Sequence, residues 1–218
     1  MTSTLRVSPA VPYARMLSVG SYRPERVVTN DEVCLRIDST DQWIQERSGI
    51  RERRYAAVDE SVCDMSVAAA LIAIERAGLQ PADVDVVILA TVTHPYPTPS
   101  AAAEVAFRLG TNGAAAFDIS AACAGFCYGI AMAQDFVRGG SARNVVVVGV
   151  EKLTDWIDLD DRSTAFIFAD GAGAAVIGAS DTPAISPVVW GSDGGQYQAI
   201  AMTQSLIDYR ENGGERFP

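Results

Sequence analysis

Apolar residues run unbroken through VVILA at 86–90 and VVVV at 145–148. Short β-branched runs of this kind predict strands buried on both faces of a sheet. Residues 61–77, SVCDMSVAAALIAIERA, predict a helix of good formers, with Asp59 and Glu60 near its start and Gly78 past its end. PSAAAEVAFRLG at 99–110 and residues 125–138 predict two more helices, and AAAFDIS at 114–120 a strand between them. Upstream, ARMLSVGS at 14–21 reads as a strand leading into a loop at YRPERVV. Asn30 then caps a short helix, DEVCLRI, and Ser39 and Thr40 precede a second, DQWIQERSG, with Gly49 at its end. IRERRYA reads as a half-exposed strand. Downstream, AFIFADGAGAAVIGAS predicts two strands around a glycine-rich turn, and AISPVVWGSDGG one more strand. Strands alternating with helices imply an α/β chain with a mainly parallel sheet, covered on at least one side.

The pattern weakens from Gly191, where Gly-Gly occurs twice and periodicity fades. Residues 1–190 are therefore read as the folded unit and 191–218 as a loop or connector. With 49% apolar and 20% charged residues over 218 positions, the chain can bury a sizeable core. A net charge of −10 argues against nucleic acid as a partner, because phosphate neutralisation needs clustered Lys and Arg. There is no apolar run of about 18 residues to span a membrane, and no signal segment. Cys34, Cys63, Cys123 and Cys127 fit neither a disulfide nor a zinc pattern and are read as reduced thiols of a cytoplasmic protein. No metal site is expected.

Cys123 falls where FDIS, a strand, passes through AACAG, all small residues, into a helix. A thiolate at a helix start is stabilised by free amides and the helix dipole, and small neighbours admit a substrate carbonyl. This is the strand-turn-helix arrangement of a nucleophile elbow. A small buried hydrophobe fits the same pattern, as most free cysteines do, so the pattern leaves both readings open. Cys127 is read as a packing residue.

DISAACAGF resembles the active-cysteine segment of the 3-ketoacyl-acyl-carrier-protein synthase III family. SVGSYRPERVVTNDEV, STDQWIQERSGIRERR, LATVTHPYPTPS, VVVVGVEKL and DRSTAFIFADGAGAAVIG resemble the same family in order and spacing, over about residues 17–178. The resemblance favours the nucleophile at Cys123. It implies the thiolase fold, two similar α/β halves usually assembled as a homodimer, with this chain covering the N-terminal half. It implies that acyl-CoA acylates Cys123 and that a malonyl-acyl-carrier-protein then loses carbon dioxide and attacks the acyl group. Acyl-CoA is thus a substrate, acyl carrier protein a partner, and no separate cofactor is implied.

By matching motif, Trp43 and Arg47 would meet the adenine and phosphate region of CoA, Arg162 would contact CoA as well, and Ser39 would help at the same rim. Thr98, Phe168 and Ile200 match apolar-pocket positions for the acyl group, and equally suit a core. The family's catalytic His and Asn lie in its second half. The single histidine here, His94, does not match that motif and is read as a loop residue. The expectation is therefore of an N-terminal portion whose three helices are too few to cover the sheet, so that it needs the other half. Two alternatives are an acyltransferase of the same fold that forms no carbon–carbon bond, and a non-catalytic partner subunit. The presence of Cys123 weighs against the second.

Overall fold

The computed structural model describes residues 9–202 apart from 112, together with 205, 207 and 208. Its elements are β1 (Tyr13–Tyr22), β2 (Arg26–Thr29), α1 (Asn30–Cys34), α2 (Asp41–Ser48), β3 (Glu52–Tyr55), α3 (Val62–Arg76), β4 (Val86–Ala90), α4 (Ala101–Leu109), β5 (Ala115–Ile119), α5 (Gly125–Arg138), β6 (Asn144–Lys152) and β7 (Asp170–Ser180). Five strands form one sheet in the order β1-β7-β6-β4-β5, and β2 and β3 form a separate antiparallel ribbon.

The α/β class is as expected, but the sheet is mixed rather than mainly parallel. β4 runs parallel to β5 and β6, while β7 runs antiparallel to both β6 and β1. A parallel return after β6 would need a crossover long enough to recross the sheet. Residues 153–169 instead form short hydrogen-bonded turns, and β7 comes straight back beside β6.

Side chains alternate across the sheet. Val87, Leu89, Val146, Val148 and Val176 pack under α3 and α4, and Val86, Ile88, Val145, Val147 and Ile177 under α5. Val145, Val146, Val147 and Val148 of β6 are fully buried, each contributing about 1.5–3 kcal/mol relative to exposure. The expectation that too few helices are present is therefore not met for the central strands. On the second face α5 packs closely against the strands, joined by Val11, Ala14 and Ile185. At Gly129 an added Cβ would stand 2.6 Å from Val147 Cγ1.

The expected helix boundaries hold where local chemistry sets them. Ser61 and Asp64 form a reciprocal capping box at α3. Thr40 caps α2, and Gly49 ends it with φ 75°. Elsewhere the structure differs. Thr29, not Asn30, caps α1, while Asn30 turns inward, is buried, and donates to Asp41 Oδ1 and to the Ile50 carbonyl. Part of the expected loop YRPERVV is β2, because Val28 has a core to enter. The stretch 165–180 holds one strand, β7, rather than two. Ala165 and Phe166 lie buried in the turns before it, and Gly171 and Gly173 belong to the ladder between β1 and β6. No strand forms in 184–195, where residues are mostly exposed and end in a single turn, Gly194–Gln196. Pro183 and Pro187 withhold two of the donors that a ladder there would need.

Candidate active site

Because β4, β5 and β6 are parallel, the loops that follow them, 91–100, 120–124 and 153–169, leave the same edge of the sheet. In open α/β sheets this carboxyl edge is where ligands bind. All the predicted site residues except Trp43, Arg47, Ser39 and Ile200 lie on these three loops.

Cys123 sits in a single 3-10 turn, Ala122–Ala124, between β5 and α5. The turn is strained: Ala122 has φ 42°, a left-handed conformation that costs a non-glycine residue about 1–3 kcal/mol. The Cys123 side chain beside it is exposed. No side chain caps the start of α5, and the Gly125 amide donates to the Ala122 carbonyl within the turn. Gly125 lets the turn press on β4, since a Cβ there would stand 3.0 Å from Ala90 Cβ. Asp118, on β5, accepts from the Ala101 and Ala102 amides at 2.7 and 2.8 Å and fixes the start of α4 against the strand that leads to Cys123.

The other thiols differ. Burial pushes the Cys63 thiol up to about 12, which makes it inert. Cys127, read from sequence as a packing residue, is exposed one helical turn beyond Cys123, because it falls on the face of α5 turned away from the sheet.

Three predicted CoA contacts come together. The Arg162 guanidinium lies 4.7 Å from the Trp43 ring centroid and that of Arg47 5.9 Å from it. The Trp43 ring is half-buried, edge-on to Phe166 at 5.3 Å. Arg162 Nε donates to the Asp38 carbonyl at 2.5 Å, next to Ser39, whose hydroxyl is buried without a hydrogen-bond partner. Beneath the patch, buried Arg53 donates to the Val28, Thr29 and Phe166 carbonyls and to Asn30 Oδ1, locking the ribbon, α1 and the 153–169 loop together. Arg36 grips Asp160 on that loop through two bonds of 2.7 and 2.9 Å. The result is a cationic aromatic surface suited to a base and phosphates.

The predicted acyl-pocket residues form no buried cluster. Thr98 is exposed on the 91–100 loop, Phe168 is half-buried before β7, and Ile200 is 89% exposed in the tail. A cavity of about 370 Å³ lies at the other end of α5, against Gln134 and Arg138, and none of these residues lines it. His94 stacks edge-on against Tyr96, as befits a loop residue. Among the described residues no cluster of three or more potential ligands could hold a metal ion, and no helix is long and apolar enough to cross a membrane.

The sequence reading passed over Glu151 and Asp118. Each is a carboxylate in a mostly apolar strand, and that interruption is the one signal the sequence carried.

A family model described as 3-oxoacyl-[acyl-carrier-protein (ACP)] synthase III matches residues 117–194, which include Cys123. The chain is 52% identical over 216 residues to the β-ketoacyl-[acyl-carrier-protein] synthase III of Streptomyces glaucescens, covering 99% of this chain and 65% of that protein. It is 53% identical to the synthase III of Kocuria rhizophila, covering 94% of this chain and 59% of the relative. Among solved structures, the priming β-ketosynthase of the R1128 polyketide pathway aligns with TM-score 0.90 at 50% identity, over 96% of this chain and 62% of that one. The synthase III of Aquifex aeolicus aligns with TM-score 0.75 at 43% identity, over 78% and 55% of the two chains. The chain thus spans about three fifths of the length of these relatives. With the elbow cysteine, the fold and this degree of identity in agreement, the chain belongs to the 3-oxoacyl-acyl-carrier-protein synthase III family.

Proposed function

We propose that the chain carries the acyl-accepting half of a condensing enzyme, with Cys123 as nucleophile. The observation that carries this reading is an exposed cysteine on a strained turn at the uncapped start of α5. The Cys123 thiolate attacks the thioester carbonyl of acyl-CoA. Amide N–H groups of the turn and of the first turn of α5 receive the oxyanion, and CoA leaves as the thiolate that takes up the proton first lost by Cys123. A malonyl group held on acyl carrier protein then loses carbon dioxide. Its carbanion attacks the acyl-cysteine carbonyl and Cys123 departs as thiolate, giving 3-ketoacyl-acyl-carrier protein. In this reading residues 1–190 are one half of a thiolase fold and 191–218 a connector to the other, which supplies His and Asn to the condensation. The assembly is a homodimer in the cytoplasm, and no cofactor is needed beyond the substrate acyl-CoA. Thr98, Phe168 and Ile200 border the acyl group in the assembled enzyme. Incubation with acyl-CoA and malonyl-acyl-carrier protein, followed by mass analysis of the carrier, tests the reading. A 3-ketoacyl carrier is expected. An acyl ester or amide of some other acceptor, with no carbon dioxide released, would overturn it in favour of simple acyl transfer.

Trp43, Arg47, Arg162 and Ser39 are assigned to the CoA end. Replacing Trp43 by alanine is expected to weaken acyl-CoA use by about 1–3 kcal/mol, the range for base stacking on an aromatic ring. Use of an acyl thioester that lacks the nucleotide should stay unchanged. Comparing KM for the two thioesters checks this, and equal losses for both would make Trp43 a packing residue of the Phe166 cluster.

A further inference from the structure

The 91–100 loop is gripped at both ends by carboxylates from the strands that flank β4. At its start, Glu151 of β6 accepts from Thr93 Oγ1 at 2.6 Å, from Thr91 Oγ1 at 3.2 Å, and from the Val92 amide at 3.0 and 3.2 Å to its two oxygens. Thr93 is itself buried. Its hydroxyl accepts from the Lys152 amide at 2.9 Å and its carbonyl from Trp156 Nε1 at 3.0 Å. At the loop's end, Asp118 of β5 accepts from the Ala101 and Ala102 amides. Between the clamps His94 is half-buried and 95–99 are exposed, so Glu151 and Asp118 hold a free-standing arch on the same sheet edge as Cys123. Glu151 is costly to keep in this place: burial pushes its carboxyl up, and only the bonds from Thr93, Val92 and Thr91 pull it back. A loop that needed only a cap would be served by a serine or asparagine at lower cost.

We infer that Glu151 is a positioning residue, which with Asp118 fixes the arch carrying Thr98 and thereby sets which acyl groups Cys123 accepts. This rests on the reading of Cys123 as the acyl acceptor. Glu151→Gln keeps the shape but sets an amide N–H₂ against donors that need an acceptor. In the full-length enzyme this variant should change the ratio of kcat/KM for branched against straight acyl-CoA of equal carbon count by about tenfold, the scale of one lost hydrogen bond to a charged group. Alkylation of Cys123 by iodoacetamide should be unchanged. Amide hydrogen exchange should quicken at Val92 and Thr93 and on through the peptide containing Thr98. Thr93→Val should shift the ratio in the same direction, and Thr93→Ser, which keeps the hydroxyl, should leave it alone. If Glu151→Gln does not fold, Thr93→Val carries the test. A folded variant whose kcat/KM falls equally for every acyl-CoA, or whose exchange quickens at Val92 without reaching Thr98, overturns the inference. If no acyl-CoA acylates the unaltered enzyme, the reading of Cys123 is what fails, and the exchange measurement still decides whether Glu151 holds the arch.

Discussion

Replacing Cys123 by alanine is expected to leave a folded protein that takes no acyl group from acyl-CoA. The Cys123 side chain is exposed, and its removal takes nothing from the core. Exposed substitutions of this kind usually change stability by less than about 0.5 kcal/mol. Removing a covalent nucleophile, by contrast, typically lowers turnover by about 10³-fold or more. Cys127 makes the test a real one, because it too is exposed and lies one helical turn away. The difference is position. Cys123 stands on the turn before α5, at the positive end of the helix dipole, whereas Cys127 is already inside the helix. Peptide mass analysis after incubation of the unaltered enzyme with acyl-CoA should place the acyl mass on Cys123, and Cys127→Ala should retain acylation. An acyl group on Cys127 with Cys123 free would sink the assignment.

The largest expected effect on stability comes from one methyl group. Gly20 lies in β1 under α3, and a Cβ there would stand 2.2 Å from the Ala69 carbonyl oxygen and 2.6 Å from the Ala73 amide nitrogen. Both are backbone atoms inside a helix, so no rotamer change relieves the clash, and α3 must move away from the sheet. It is held there by the two residues that precede Gly20. Ser18 Oγ donates to the Ala73 carbonyl at 2.5 Å, and Arg76 donates to the Val19 carbonyl at 2.9 Å. Gly20→Ala should therefore cost about 3 kcal/mol, the upper end of overpacking penalties, or about 2–4 °C of Tm per kcal/mol for a domain of this size. Gly173→Ala is the control. It makes the same change in the adjacent strand, β7, at a position where an added Cβ meets nothing within 4 Å. Urea midpoints of the two variants decide the matter, and equal midpoints would mean that α3 rides away from β1 at little cost.

The local sequence determined those features that depend on local chemistry. Continuous burial of β4 and β6 follows from their β-branched runs, and the starts of α2, α3 and α4 follow from Thr40, Ser61 and Ser100, whose hydroxyls meet amides three residues on. The elbow at Cys123 was legible for the same reason: small residues between a strand and an amphipathic helix permit the tight turn that joins them. The grouping of Trp43, Arg47 and Arg162 was legible only through family motifs, since the tertiary fold brings Arg162 from a distant segment. The tertiary structure alone decided the direction of β7, the role of Gly171 and Gly173 in a ladder rather than a turn, the inward turn of Asn30, and the exposure of Cys127. Each depends on which segment arrives alongside, and periodicity says which residues are buried without saying against what. The clamps of Glu151 on Thr91–Thr93 and of Asp118 on Ala101–Ala102 belong to the same group. A buried carboxylate is stable only where donors from elsewhere in the chain converge on it, and that convergence exists only once the parallel strands have aligned their ends.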